Sequence, residues 1–261
     1  MLKAIIFDLD DTLLWDEKSV KAAFETTCQL VESMYGIRAE AFESKVRDIA
    51  RAKYASYGTY SYTQMIGINP FEGLWAQFRD EGEEFGKLRE LAPSYQHEVW
   101  TEALAAYGIE DGSFALKLAK AFPEARKANA FVYEETFEVL DKLHAQYPLM
   151  LLTNGSPDLQ QTKLMLTPEL KKYFEHILIS GSFGRGKPDV TIFEHALNLL
   201  GLKREEAIMV GDNLHTDILG ASRAGIRSIW VNHHGKKPDE VFPTFEITSL
   251  GELVSLIEEI G

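Results

Sequence analysis

Short apolar runs recur along the chain: KAIIF at 3–7, LMLLT at 149–153, HILIS at 176–180, AIMVG at 207–211 and SIWVN at 228–232. Each is rich in Ile, Val or Leu and continuous rather than alternating, the pattern of strands in a parallel sheet covered on both faces. Between them the apolar period lengthens to that of a helix. Val190, Phe193, Leu197 and Leu200 fall on one helical stripe, and Gly201 follows as a stop. Ser156, Pro157 and Asp158 supply a cap, a first-turn proline and an acid at the positive end, which predicts a helix start. Ser249 and Glu252 predict a capping box ahead of the stripe Leu250, Leu253, Ile257 and Ile260. Strands alternating with helices predict an α/β fold, a doubly wound parallel sheet.

Residues 16–127 break this rhythm, because the strand signal nearly vanishes there. Val20, Phe24, Val31 and Met34 form a helical stripe ending at Gly36, and further helices are predicted around 38–55, 71–90, 94–107 and 113–121. The expected organisation is therefore a core made of residues 1–15 and 128–261, with an all-helical domain, 16–127, inserted after the first strand. Tyr54, Tyr57, Tyr60 and Tyr62 crowd one stretch of the insert. Packing within it is the expected role, and an aromatic wall over a substrate ring is the alternative. Trp15, beside the junction, can pack a hinge or line a pocket.

Composition narrows the partners. Hydrophobic residues make up 45% and charged ones 26%, as in an ordinary globular protein, and the net charge is −13. A basic footprint for a nucleic acid polymer is absent. No apolar run approaches the roughly 18 residues of a membrane span, and the opening MLKAIIFDLDD lacks the form of a signal peptide. Cys28 is the only cysteine, so no disulfide forms within the chain, and a cytoplasmic location is expected. An anionic ligand would need local positive partners: a metal ion, a lysine, or helix N-termini.

Four polar constellations lie just beyond the apolar runs or in the loops that follow. Asp8-Leu9-Asp10-Asp11-Thr12 follows the first strand, where open α/β sheets bind ligands. Alternation sends Asp8 and Asp10 to one side. Two carboxylates held together repel unless a cation lies between them or one is protonated. The pair suits a nucleophile beside an acid/base with Mg²⁺ between hard oxygen ligands; a solvated acidic turn is the other reading. Gly211-Asp212-Asn213, with Asp217 beyond, adds a third carboxylate at another strand end, or a helix cap. Thr153-Asn154-Gly155 places a hydroxyl, an amide and backbone N–H groups before a helix, which is a phosphate cradle or a common turn. Gly181, Gly186 and Lys187 have the glycine and lysine spacing of a P-loop, but Pro188 stands where that motif needs a hydroxyl. Lys187 can instead hold a phosphate beside a metal, with Pro188 opening the next helix. His233 and His234 are adjacent, the wrong spacing for a zinc pair, and His215 is expected on an exposed loop.

DLDDT, TNG, GKPD and GDNLHTD, in this order, resemble the four motifs of the haloacid dehalogenase-like superfamily of hydrolases. The resemblance covers residues 1–15 and about 128–261, and the insert by its position and helical character. It implies a Rossmann-like core with a helical cap. By the match, Asp8 is similar to the nucleophile, Asp10 to the general acid/base, Thr153 to the motif-two hydroxyl with Asn154 beside it in the phosphate site, and Lys187 to the motif-three lysine. Asp8, Asp10 and Asp212 are the implied Mg²⁺ site, with Asp217 supporting it. An aspartate at position 10 resembles the phosphatase branch rather than the dehalogenases. The implied activity is hydrolysis of small-molecule phosphate monoesters through an aspartyl-phosphate; a sugar phosphomutase would use the same residues. The loop GSFGRG is richer in glycine than the family pattern. The insert, joined at two points, is expected to act as a lid that selects the substrate, with Tyr57 and Tyr60 the first residues to test.

Overall fold

A computed structural model describes residues 1–238 and 240–261 and divides the chain into two compact units, Met1–Trp15 with Val132–Gly261, and Asp16–Phe131.

The first unit holds six parallel strands: β1 Ala4–Phe7, β2 Leu149–Thr153, β3 His176–Ile179, β4 Ala207–Gly211, β5 Arg227–Val231 and β6 Phe245–Ile247. Their order is β3-β2-β1-β4-β5-β6, so β1 sits inside the sheet, with Ile5 opposite Leu149 on one side and Ile208 on the other. β6 was not expected from the sequence: it is three residues long, lies at the edge and pairs only with β5.

The Asp16–Phe131 unit is helical: α1 Asp16–Tyr35, α2 Ala39–Ser56, α3 Tyr60–Ile66, α4 Pro70–Gly73, α5 Glu83–Ala105 and α6 Gly112–Ala128. Its core is aromatic, with Phe24 against Phe122 at 4.6 Å between ring centres and Trp100 against Phe42 and Phe122. The tyrosines pack there too: Tyr54 against Tyr60 and Tyr95, Tyr57 against Tyr95, Tyr62 against Phe85. Two expectations give way. The helices read at 71–90 and 94–107 are instead a four-residue turn, a non-helical stretch and one helix running through Pro93; α6 likewise runs through Pro123. Each proline costs a helix hydrogen bond, but burial of Tyr95, Val99 and Trp100 beyond Pro93, and of Ala125 and Arg126 beyond Pro123, carries the helix onward. Met34, read as part of the α1 stripe, is 63% exposed because the buried face ends at Val31.

The first unit continues with α7 Thr136–His144, α8 Pro157–Leu166, α9 Ser180–Phe183, α10 Val190–Leu200, α11 Leu219–Ala224 and α12 Leu253–Ile260. Strand alternation splits the core into two layers. Ile5, Phe7, Leu149, Leu151, Ile208 and Val210 face α7 and α12, while Ile6, Met150, Leu152 and Met209 face α10 and α11. Helices therefore cover both faces, as the continuous apolar strands require. Ser156 caps α8 with Pro157 in its first turn. The Ser249–Glu252 capping box opens a short 3₁₀ turn before α12. On α10 the buried residues are Ile192, Phe193, Ala196 and Leu197, a face turned from the one read in sequence, and its cap is Asp189, so Pro188 lies just outside the helix. No helix among the described residues is long and apolar enough to cross a membrane.

Close packing makes one glycine a sensitive point. A Cβ on Gly220 would fall onto the ring of the fully buried Phe193 and lie 3.1 Å from the Pro188 backbone. Gly220→Ala is expected to destabilise the protein by about 1–3 kcal/mol through overpacking, read as a lower midpoint in urea with an unchanged slope; an unchanged midpoint would show that α11 shifts without cost.

Candidate active site

The carboxyl ends of β1, β2 and β4 bring the sequence motifs together. Asp8 continues the ladder beyond β1, its N–H donating to Val210 at 2.9 Å. Leu9 is fully buried and points into the core, which leaves its neighbours Asp8 and Asp10 on the other side. Leu13 and Leu14 donate back to the Leu9 carbonyl and close the loop, with Asp11 in the left-handed region at φ 55°, a conformation aspartate tolerates.

At the end of β4, Asp212 is fixed through its main chain. Its N–H donates to Thr12 Oγ1 at 3.1 Å, and its carbonyl accepts the Trp230 indole N–H at 2.7 Å. Asn213 caps the following π-helical turn, Leu214–Ile218, which folds Asp217 back so that its Oδ2 accepts the Asn213 N–H at 3.1 Å. Asp217 is fully buried against the backbone of Gly211, where any Cβ would collide with its carboxyl group. His215, on the same turn, is exposed.

Asp8, Asp212 and Asp217 each offer an oxygen within 4.8 Å of the others. Lys187 answers two of them: its Nζ is 2.6 Å from Asp8 Oδ1 and 2.7 Å from Asp217 Oδ1, and donates to the Leu152 carbonyl at 2.8 Å. Burial pushes the Asp8 carboxyl up to about 6, with Lys187 opposing and Asp217 reinforcing the rise. Asp212 is raised well above the usual carboxylate range, first by burial and then by Asp217, Asp8 and Asp11. Burial alone would lower Lys187, but Asp217 and Asp8 outweigh it and hold the ammonium above its ordinary range. Asp212 makes no ion pair among the described residues. Two buried carboxylates and the half-buried Asp212 against one ammonium leave an excess of negative charge that a divalent cation on hard oxygen ligands relieves.

Asp10 goes elsewhere. Its side chain was expected in the metal group with Asp8 and Asp212, but Oδ2 accepts from Lys163 Nζ at 2.8 Å and from Gln160 Nε2 at 2.9 Å. Asp217, expected as a support, lies with Asp8 and Asp212 in the acidic group. Sequence reading missed Gln160 and Lys163; they stand three residues apart on α8, hence on one helical face, and that spacing in the first helix after the Thr153 turn was the available signal.

The β2 turn is equally well tied. Thr153 Oγ1 accepts from Gln160 Nε2 at 2.8 Å. Asn154 clamps Lys187 through the main chain, donating to its carbonyl at 3.0 Å and accepting its N–H at 2.8 Å, so this amide positions the lysine. Gly155 has φ 134° and a Cβ there would press on Gln160 at 3.2 Å, which explains the glycine. The glycine-rich loop does not build a P-loop: residues 180–183 form α9, Gly155 donates to Ser180 Oγ, and Lys187 turns onto carboxylates. Trp15 stacks on Tyr133, which stacks on His233 at 4.2 Å between ring centres.

The family model described as haloacid dehalogenase-like hydrolase matches residues 2–225. A phosphoserine phosphatase of Thermus thermophilus is 35% identical over 254 residues, 97% of this chain and 98% of its own. A pyrimidine 5'-nucleotidase of Escherichia coli is 35% identical over 187 residues, covering 70% of this chain and 77% of that one. Among solved structures, a HAD-hydrolase of Bacillus subtilis bound to magnesium aligns over 98% of both chains with a TM-score of 0.66 at 22% identity, a likeness of fold.

Proposed function

Since the chain belongs to the haloacid dehalogenase-like hydrolase family, we propose that it is a Mg²⁺-dependent phosphatase hydrolysing small phosphate monoesters through an aspartyl-phosphate on Asp8. The observation that carries this reading is the division of labour between two carboxylates two residues apart. Asp8 lies in the acidic group against Lys187, whereas Asp10 is held by Lys163 and Gln160. Different surroundings for neighbouring carboxyls are what separate a nucleophile from a proton carrier.

In the first step an Asp8 oxygen attacks phosphorus in line, the bond to the ester oxygen breaks, and Asp10 gives that oxygen its proton. In the second, Asp10 takes a proton from water, whose oxygen attacks phosphorus and releases Asp8 and inorganic phosphate. Lys187 and the Thr153 hydroxyl offer donors to the phosphoryl oxygens, and Asn154 keeps Lys187 in register. Asp8 and Asp212 would hold the cation, with Asp217 beside them; when bound, it supplies positive charge to the phosphate.

The relatives favour small substrates, so phosphoserine heads the panel, followed by pyrimidine 5'-nucleotides and glyceraldehyde 3-phosphate. With MgCl₂ the protein is expected to release phosphate from p-nitrophenyl phosphate and from at least one of these esters. EDTA should reduce turnover to background and added Mg²⁺ restore it. Undiminished turnover in EDTA would remove the metal from the mechanism; no phosphate release from any ester would overturn the phosphatase reading.

A further inference from the structure

Asp10 and the β2 turn share one support. On α8, Gln160 is fully buried and Lys163 is 4% exposed. A lysine is almost never so deeply buried without a paired charge, and here that charge is Asp10, 2.8 Å away. Gln160 Nε2 reaches the same Asp10 oxygen at 2.9 Å, Thr153 Oγ1 at 2.8 Å and the Asn154 carbonyl at 2.6 Å. Two donors on one carboxyl oxygen fix the rotation of the group, and so fix which oxygen handles a proton. The anchor is rigid: α8 is capped by Ser156, and Gly155 leaves room for the Gln160 stem.

We propose that Lys163 and Gln160 are positioning residues that aim Asp10 at the leaving-group oxygen and tie that aim to the Thr153 hydroxyl. The proposal rests on the phosphatase reading above. In the step concerned, the Asp10 proton passes to the ester oxygen as its bond to phosphorus breaks and the Asp8–phosphorus bond forms. Asp10 is left as a carboxylate, which the Lys163 ammonium stabilises by a charge-assisted hydrogen bond.

A role in proton delivery makes a demand that a merely structural role does not. An alkyl ester needs its leaving oxygen protonated, whereas p-nitrophenolate leaves without help. The experiment compares kcat/KM, which reports steps through leaving-group departure, for p-nitrophenyl phosphate and for the alkyl ester turned over fastest among phosphoserine, glyceraldehyde 3-phosphate and UMP. In Lys163→Met the alkyl ester is expected to lose about 10²-fold or more, the scale of general acid catalysis, while the aryl ester loses less than about tenfold. Lys163→Arg, which keeps the charge, should narrow that gap. Adding Lys163→Met to Asp10→Asn should cost little further, because both act through one carboxyl group. Equal losses on the two esters, no loss, or multiplying losses in the double variant would overturn the proposal. If Lys163→Met does not fold, Gln160→Leu, which keeps the ammonium, is read on the same esters by the same criterion. Absence of wild-type turnover would defeat the phosphatase reading instead, which keeps the two failures apart.

Discussion

Asp8→Asn is expected to lower kcat by at least about 10⁴-fold, the scale seen when a covalent nucleophile is removed, and to abolish transfer of labelled phosphate to the protein. An amide cannot form the acyl phosphate. The same change should leave stability intact. Asp8 is buried beside Asp217 and Asp212, and its carboxyl is already pushed up to about 6, mainly by burial. Removing its charge relieves repulsion while the carboxamide oxygen still accepts from Lys187. In metal-free buffer the Tm of Asp8→Asn should therefore not fall below that of the wild type. Activity within tenfold of wild type, or a phosphoryl label on another residue, would move the nucleophile elsewhere. A collapse of Tm would attribute the lost activity to unfolding.

Lys187→Met should fail in both respects. Turnover is expected to drop by about 10²–10³-fold, as when a donor to transition-state charge is lost. Stability should drop by about 3–5 kcal/mol in EDTA, since breaking one side of a buried ion pair strands the other charge, and here two carboxylates lose their partner. Mg²⁺ should then raise the Tm of the variant by more than it raises that of the wild type, because a cation bound only by the folded state stabilises by mass action and meets more uncompensated charge in the variant. Equal Mg²⁺ shifts in the two proteins would show that Lys187 is not what neutralises the acids.

What the sequence revealed depended on how local the signal was. The apolar strands β1 to β5 were legible because burial on both faces leaves little but Ile, Val and Leu, whereas β6 carries three residues with one partner and no such mark. The α4–α5 region was misread because Pro93 is a local stop signal, while the burial of Tyr95 and Trp100 that overrides it belongs to tertiary structure. Asp8, Thr153 and Asp212 stood out as strand-end motifs, and Lys187 by its place in the glycine-rich loop after β3. The partners of Asp10 were not: Lys163 stands 153 residues away in sequence, and nothing in an isolated Q-x-x-K on a helix says which carboxylate it will meet.

The place of β1 inside the sheet has a consequence for how the protein comes into being. During synthesis β1 leaves the ribosome before the other strands of the sheet, and its neighbours β2 and β4 begin only at Leu149 and Ala207. Chains emerge at roughly 5–20 residues per second, so an apolar strand with both hydrogen-bonding edges unpaired waits several seconds while the Asp16–Phe131 unit is made. That unit is compact in itself and can collapse during the wait. Sheet assembly must then close loops spanning more than half the chain, a topology that folds slowly. The nascent protein thus passes through a stage in which Asp8 is already translated at the tip of an unpaired strand, and a chaperone that shields apolar segments has its target in residues 4–7.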